Sequence, residues 1–262
     1  MSLAFIGDFG NFSKQFVSMV KNHHFKHLYL IGDNFYPTLE SSRQLETARE
    51  TFKGVSRKLI HPVLGNHDWE GDVSRQLDFK GWLFPHFYYF TRPSRDVGVW
   101  MIDTQILDPT NDMFDLREEI KDATSSYTGT RKLHLEWLKK SLEDNKDCKI
   151  KIMCGHYPLV SAGTYPTNNT LIKLLCPLMK KYKIGTYISG HDHSTQHLEY
   201  IYKNHKIDQF VVGYCGDHTK YPKYGSTDAE SKFFDDKDAA YLKFERGSFS
   251  LRKMTDDTTI YI

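Results

Sequence analysis

Residues 185–193 read GTYISGHDH: a short run that stops at Gly190 and then delivers His191, Asp192 and His193. A short run of this kind suits a β-strand buried on both faces. The glycine lets the chain turn sharply where the strand ends. In extended backbone, residues two apart project to the same side, so His191 and His193 face one way and Asp192 the other. Four more strand-like runs end alike. The run over 3–7 leads into Gly7-Asp8-Phe9-Gly10, and 27–31 into Gly32-Asp33-Asn34-Phe35-Tyr36. The run over 61–64 leads into Gly65-Asn66-His67-Asp68, and 149–154 into Gly155-His156-Tyr157. Ligand sites in open α/β sheets lie outside the carboxyl ends of the strands, where all five motifs fall.

A sixth run covers 97–102, and helical patterns lie between several runs, over 12–22, 41–53, 131–143 and 170–182. Pro177 is expected to kink or interrupt the last of these. After His193 the chain reads as consecutive strands over 197–202, 207–213, 239–245, 248–254 and 258–262. An alternating β/α first half and a β-rich tail predict two sheets packed face to face with helices outside. The 262 residues are read as one domain, with no internal repeat. Two stretches, 104–130 and 216–237, show no clear pattern and are expected to rim the site.

Hydrophobic residues make up 39% and charged residues 26% of the chain, and the formal charge is +2, so no strong nucleic-acid or membrane field is indicated. No apolar stretch approaches a membrane span, and the N-terminus enters a strand at once, without a signal peptide. Cys148, Cys154, Cys176 and Cys215 form no CxxC pair; Cys154 and Cys215 lie in apolar runs and read as buried thiols. Two sequons, Asn11-Phe12-Ser13 and Asn168-Asn169-Thr170, matter only in a secretory setting.

As chemistry, Asp8 and Asp33 are hard anionic oxygen donors, and Asn66 offers a neutral carbonyl. Tyr36 follows Asp33 closely enough to enter the same site, and its phenolate suits a trivalent ion such as Fe(III). His156, His191 and His193 offer imidazole nitrogens suited to Fe, Zn or Mn. Seven donors, one of them bridging, serve two metals with positions left for water and substrate. Each motif alone has a plainer explanation: an aspartate capping a turn, an Asx bond, a core histidine, a packed tyrosine. Five together, all at strand ends, point to a two-metal hydrolytic centre. His23, His24 and His27 read as a solvated face, and no partner is legible for His61, His86, His134, His197, His205 or His218.

The ordered set GDFG, GDNFY, GNHD, GHYP and GHDH resembles the purple acid phosphatases of the metallophosphoesterase superfamily, most nearly the small tartrate-resistant type. The likeness extends to Trp69–Gln76, His86–Phe90, Ile102-Asp103-Thr104, Leu135–Leu142, Leu171–Leu178 and the β-rich tail. It implies a four-layer α/β/β/α sandwich, two mixed β-sheets flanked by helices. It implies Fe(III) held by Asp8, Tyr36 and His193, a divalent Fe, Zn or Mn held by Asn66, His156 and His191, and Asp33 bridging. It further implies hydrolysis of phosphomonoesters by a metal-bound hydroxide, with His67 protonating the leaving group and an acidic pH optimum. Asn66, His67 and Tyr165 would contact substrate, and the protein would act as a monomer on a phosphorylated small molecule or phosphoprotein. Protein Ser/Thr phosphatases resemble GDxHG, GDxVDRG and GNHE instead; Phe9 stands here where they have a metal-binding histidine.

The chain also departs from the resemblance. Tyr165 stands where family members carry a second active-site histidine. The cysteine expected after Asp103-Thr104 is absent, so the usual disulfide is expected to be missing, and Asp72 replaces a sequon asparagine. The family points to a secretory or lysosome-like compartment; the missing signal peptide and disulfide leave the compartment unassigned. Two alternatives remain: a non-catalytic anchor or scaffold on the same fold, and a phosphodiester or nucleotide hydrolase.

Overall fold

The computed structural model describes residues 1–22, 25–110, 115–216 and 228–262. Two mixed sheets form the centre. In the first, β1 (Ser2–Ile6), β2 (His27–Ile31) and β3 (Ile60–Val63) run parallel. This sheet continues antiparallel from β1 into β11 (Ala240–Glu245), β12 (Ser248–Lys253) and β13 (Thr259–Tyr261). In the second, β5 (Val97–Met101), β6 (Ile150–Cys154), β7 (Thr186–Ser189) and β9 (His205–Val212) run parallel. Antiparallel β4 (Tyr89–Ser94) borders β5, antiparallel β8 (Thr195–Tyr202) borders β9, and β10 (Glu230–Asp235) pairs antiparallel with β8 at the edge. The tail strands thus divide between both sheets.

Period-two alternation sorts the second sheet's side chains. Val99, Met101, Ile152, Cys154 and Ile188 enter the core shared with the first sheet. Trp100, Met153 and Tyr187 face the other way, into a core with Leu138 and Leu142 of α7 (Tyr127–Asp144) and Leu171, Leu175 and Met179 of α8 (Asn169–Tyr182). Trp100 Nε1 donates to Ser141 Oγ at 3.0 Å, fixing α7 on the sheet. Phe16, Met19 and Val20 of α1 (Lys14–Asn22) and Ala48 of α2 (Ser42–Thr51) join the first sheet's core. Between the sheets, Tyr29 Oη meets Thr91 Oγ1 at 3.0 Å and Tyr89 Oη donates to the Pro62 carbonyl at 2.6 Å. The layers are helix, sheet, sheet, helix, as the resemblance implied.

Several expectations change. α8 runs unbroken through Pro177, which lies on its exposed face while the opposite face is held by packing. The stretch 104–130 is largely helical, with α5 (Thr104–Leu107), α6 (Arg117–Thr124) and the start of α7; residues 111–114 lie outside the described residues. The stretch 216–237 contains β10, while 217–227, with His218, lie outside the described residues. Asn168 is buried and caps α8, its Oδ1 accepting from Leu171 N at 2.8 Å. The chain after β3 turns through the short α3 (Asn66–Trp69), and Asp72 caps α4 (Val73–Asp78) by accepting from Arg75 N. All four cysteines are buried and none is joined in a disulfide. Three of the histidines without a legible partner acquire one. His61 Nε2 lies 3.0 Å from His27 Nδ1, His197 bonds Asp208 and Tyr261, and His205 bonds the Ile184 carbonyl. His23 and His24 lie outside the described residues.

Candidate metal centre

The carboxyl ends of β1, β2, β3, β6 and β7 meet at one pole of the sandwich. Backbone bonds hold them there: Gly7 N donates to the Val212 carbonyl across the sheets at 2.8 Å, Asp8 N to Gly32 O at 3.0 Å, and Gly190 N to His156 O at 3.0 Å. The glycines are required by proximity. A Cβ at Gly65 would sit 2.0 Å from Asp33 Oδ1, and one at Gly32, where φ is +85°, 2.6 Å from His156 Nδ1. Asp8, Asp33 and His191 adopt φ of 57°, 53° and 68°, a left-handed conformation that costs a non-glycine residue free energy.

Tyr36 Oη donates to Asp33 Oδ2 at 2.7 Å and to Asp8 Oδ1 at 3.0 Å, and lies 3.2 Å from His193 Nε2. Ligand atoms of Asp8, Asp33 and His193 all fall within 4.8 Å of one another. The other Asp33 oxygen faces a second group. Oδ1 is 3.3 Å from His156 Nε2, which in turn is 3.2 Å from Asn66 Oδ1. His191 stands beside them, its ring centroid 5.2 Å from that of His156. All seven proposed donors converge, and Asp33 lies between two groups of three. His67 projects at the rim, its ring 4.8 Å from Tyr36 and its Nδ1 3.9 Å from Glu70 Oε2. Tyr165 lies on His191, ring centroids 3.9 Å apart.

The electrostatics suit cations. Asp8 and Asp33 are buried together, and buried charge requires compensation. Burial, then the neighbouring Asp33 and Asp8 carboxylates, push the Tyr36 phenol well above its ordinary pKa. Burial and the adjacent histidines hold His191 neutral, the form that binds metal. Burial lowers the His156 pKa, but Asp33 and Asp8 outweigh it and the net direction is up. A cation among these groups would relieve the crowded negative charge. The donor set, hard oxygens with a phenol on one side and an amide with two imidazoles on the other, fits two metal ions.

Sequence reasoning missed the residues that hold the loops in place. Asp68 accepts from Gly65 N at 2.8 Å, Asn34 N at 3.0 Å and Gln76 Nε2 at 2.8 Å, clamping the β2 and β3 loops together. Asn34 Nδ2 donates to Val63 O at 2.9 Å. Asp103 accepts from Trp69 Nε1 at 2.9 Å and from Ile106 N at 2.9 Å. The sequence offered only their identity: Asn34 and Asp68 lie inside two of the motifs, and Asp103 follows the run over 97–102.

A sandwich of two mixed sheets with aspartate, asparagine, tyrosine and histidine at its strand ends is a metallophosphoesterase architecture. Residues 1–195 match the calcineurin-like phosphoesterases, and the chain belongs to that family. It is similar to the pig (Sus scrofa) tartrate-resistant acid phosphatase type 5, with 32% identity over 184 residues, 64% of this chain and 53% of the relative. The chain thus spans about half the length of that curated relative. Two solved structures share the fold along the whole chain. One is GAP50, the anchor in the inner membrane complex of Plasmodium: TM-score 0.73, 20% identity, 87% of that chain covered. The other is a purple acid phosphatase from yellow lupin (Lupinus luteus) seeds: TM-score 0.61, 16% identity, 52% of that chain covered. Likeness to the pig relative is confined to about two thirds of the chain, whereas likeness of fold continues through the β-rich tail.

Proposed function

We propose that the chain hydrolyses phosphomonoesters at a centre built for Fe(III) and a divalent ion. The carrying observation is the convergence of six donors around Asp33, whose two oxygens face Tyr36 and His156. Asp8, Tyr36 and His193 would hold the ferric ion, and Asn66, His156 and His191 a divalent Fe, Zn or Mn. Bound ions would supply Lewis-acid polarisation of the phosphoryl group and an activated water.

The protein's own groups do the rest. The Asn66 amide orients a phosphoryl oxygen. His67 is partly open to solvent, its side chain 32% exposed, whereas Asp8, Asp33, Asn66, His156 and His191 behind it are buried. It can reach a leaving oxygen and pass a ring proton to it. Glu70 Oε2 lies 3.9 Å from the Nδ1 of His67. Tyr165 would border the substrate on the His191 side.

Iron reconstitution followed by a visible spectrum and an aryl phosphate assay tests this reading. A tyrosinate-to-iron band lost in Tyr36→Phe, with phosphate release, is expected. A colourless, metal-replete protein inert from acid to neutral pH would overturn it. The second reading, a non-catalytic anchor, takes its support from the likeness to the Plasmodium anchor, which is one of fold. It predicts metal uptake without turnover, or no uptake. A diester or nucleotide hydrolase would show itself by preferring those substrates over aryl monoesters.

A further inference from the structure

The loop between β6 and α8 forms an arch fastened to buried side chains. Gln209 Oε1 accepts from Leu159 N at 2.9 Å and Val160 N at 3.2 Å, and Gln196 Oε1 accepts from Ala162 N at 2.9 Å. Ser161 Oγ donates to Asp192 Oδ2 and accepts from Gly163 N at 2.9 Å. Asp192 accepts a further backbone bond from Tyr165. A Cβ at Gly163 would lie 2.2 Å from Asp192 Oδ2, so the arch closes fully on the carboxylate only with glycine there. Asp192 is fully buried and sits between His191 and His193 in sequence. The same strand end therefore carries the two histidines and anchors the arch.

The outcome of this fastening is the position of Tyr165. Its ring lies 3.9 Å from that of His191, tilted by 32°, while Tyr157 packs against His191 from 4.6 Å at 65°. His191 is thereby walled by two tyrosines and His156. We infer that Tyr165, held by Asp192 through the arch, is a positioning residue for His191. Its ring fixes the imidazole in the orientation that binds the divalent ion. This rests on the reading of His191 as a ligand in the proposed centre. Groups that orient a ligand commonly change metal affinity by roughly 10- to 100-fold when removed.

Zinc affinity, measured by competition with a chromophoric chelator on the iron-loaded chain, tests the inference without an activity readout. Tyr165→Ala should weaken zinc binding roughly 10- to 100-fold and keep the iron content and the Tyr36 band, because His191 is not in the iron group. Tyr165→Phe retains the ring and should bind zinc like the parent. Asp192→Asn should weaken zinc in the same direction, and thermal melting of each variant reports whether it is folded. Parent-like zinc affinity in Tyr165→Ala overturns the inference, as does equal loss in Tyr165→Phe. Loss of phosphate affinity with zinc affinity intact would make Tyr165 a substrate contact instead. Failure of the parent chain to take up zinc or iron would sink the proposed centre itself, and this inference with it.

Discussion

Asp8, Asp33 and His191 hold left-handed backbone at three different strand ends, which places conformational cost where chemistry is proposed. The residue identities were legible in the sequence because each donor falls in a short motif that opens with a glycine after a strand-like run. Their conformations were not, since nothing in a single sequence reports a positive φ at aspartate. His67 carries the first prediction. His67→Ala should lower turnover roughly 100- to 10,000-fold for poor leaving groups and far less for good ones. Equal losses across a leaving-group series would remove it as the general acid. His134 carries the second. It is fully buried, stacked on Tyr88 with centroids 4.0 Å apart, and burial, then nearby His86, pushes its pKa down to about 3 from 6.5. A depressed folded pKa means that the unfolded chain takes the proton first. The stability held by neutral His134 is complete above pH 6.5 and is lost as pH falls toward about 3. His134→Phe removes that loss, so the variant should gain on the parent by about 1.4 kcal/mol per pH unit through this window. Denaturant titrations of both proteins, showing a pH-independent difference, would contradict it.

At the scale of elements, the legible strands are those with both faces covered. β1, β2, β6 and β7 are apolar runs because sheet lies on one side and helix on the other. β4 and β10, the two edges of the second sheet, were not legible. β4 contains Arg92 and Pro93, and β10 reads ESKFFD with a register shift between Ser231 and Phe233. Edge strands tolerate proline, charge and bulges because one side makes no ladder. The short helices α4 and α5 escaped notice for a related reason: each is closed by an aspartate cap, and neither is long enough to show a period. The loop after β3 supplies a prediction at this scale. Gly65→Ala would drive a methyl into Asp33 Oδ1, only 2.0 Å away. It should abolish uptake of the second metal and destabilise the fold by about 1–3 kcal/mol. Metal analysis of the folded variant decides the point; full loading at parent affinity would mean that the Asp33 side chain does not bridge.

Across the whole molecule, two sheets contribute unequal halves of the site. The first sheet supplies Asp8, Asp33, Tyr36 and Asn66, and the second supplies His156, His191 and His193. The motif order made the two-sheet sandwich legible, whereas the loop clamps by Asp68 and the arch on Asp192 depend on contacts far apart in sequence. Binding in such a cleft couples metal to the relative position of the sheets. Metal at roughly a hundredfold excess over Kd should therefore add about 2.7 kcal/mol of stability, read as a higher Tm than that of the chelated protein. An unchanged Tm in the presence of tightly bound metal would mean that the strand ends are held together without it. The most direct test of the central claim is phosphate release from an aryl monoester by the iron- and zinc-loaded chain, beside Asp33→Asn loaded identically. The account predicts turnover in acid for the parent and its loss in Asp33→Asn, whose amide cannot neutralise two cations. A loaded parent that releases no phosphate at any pH from acid to neutral, or an Asp33→Asn variant as active as the parent, would contradict it.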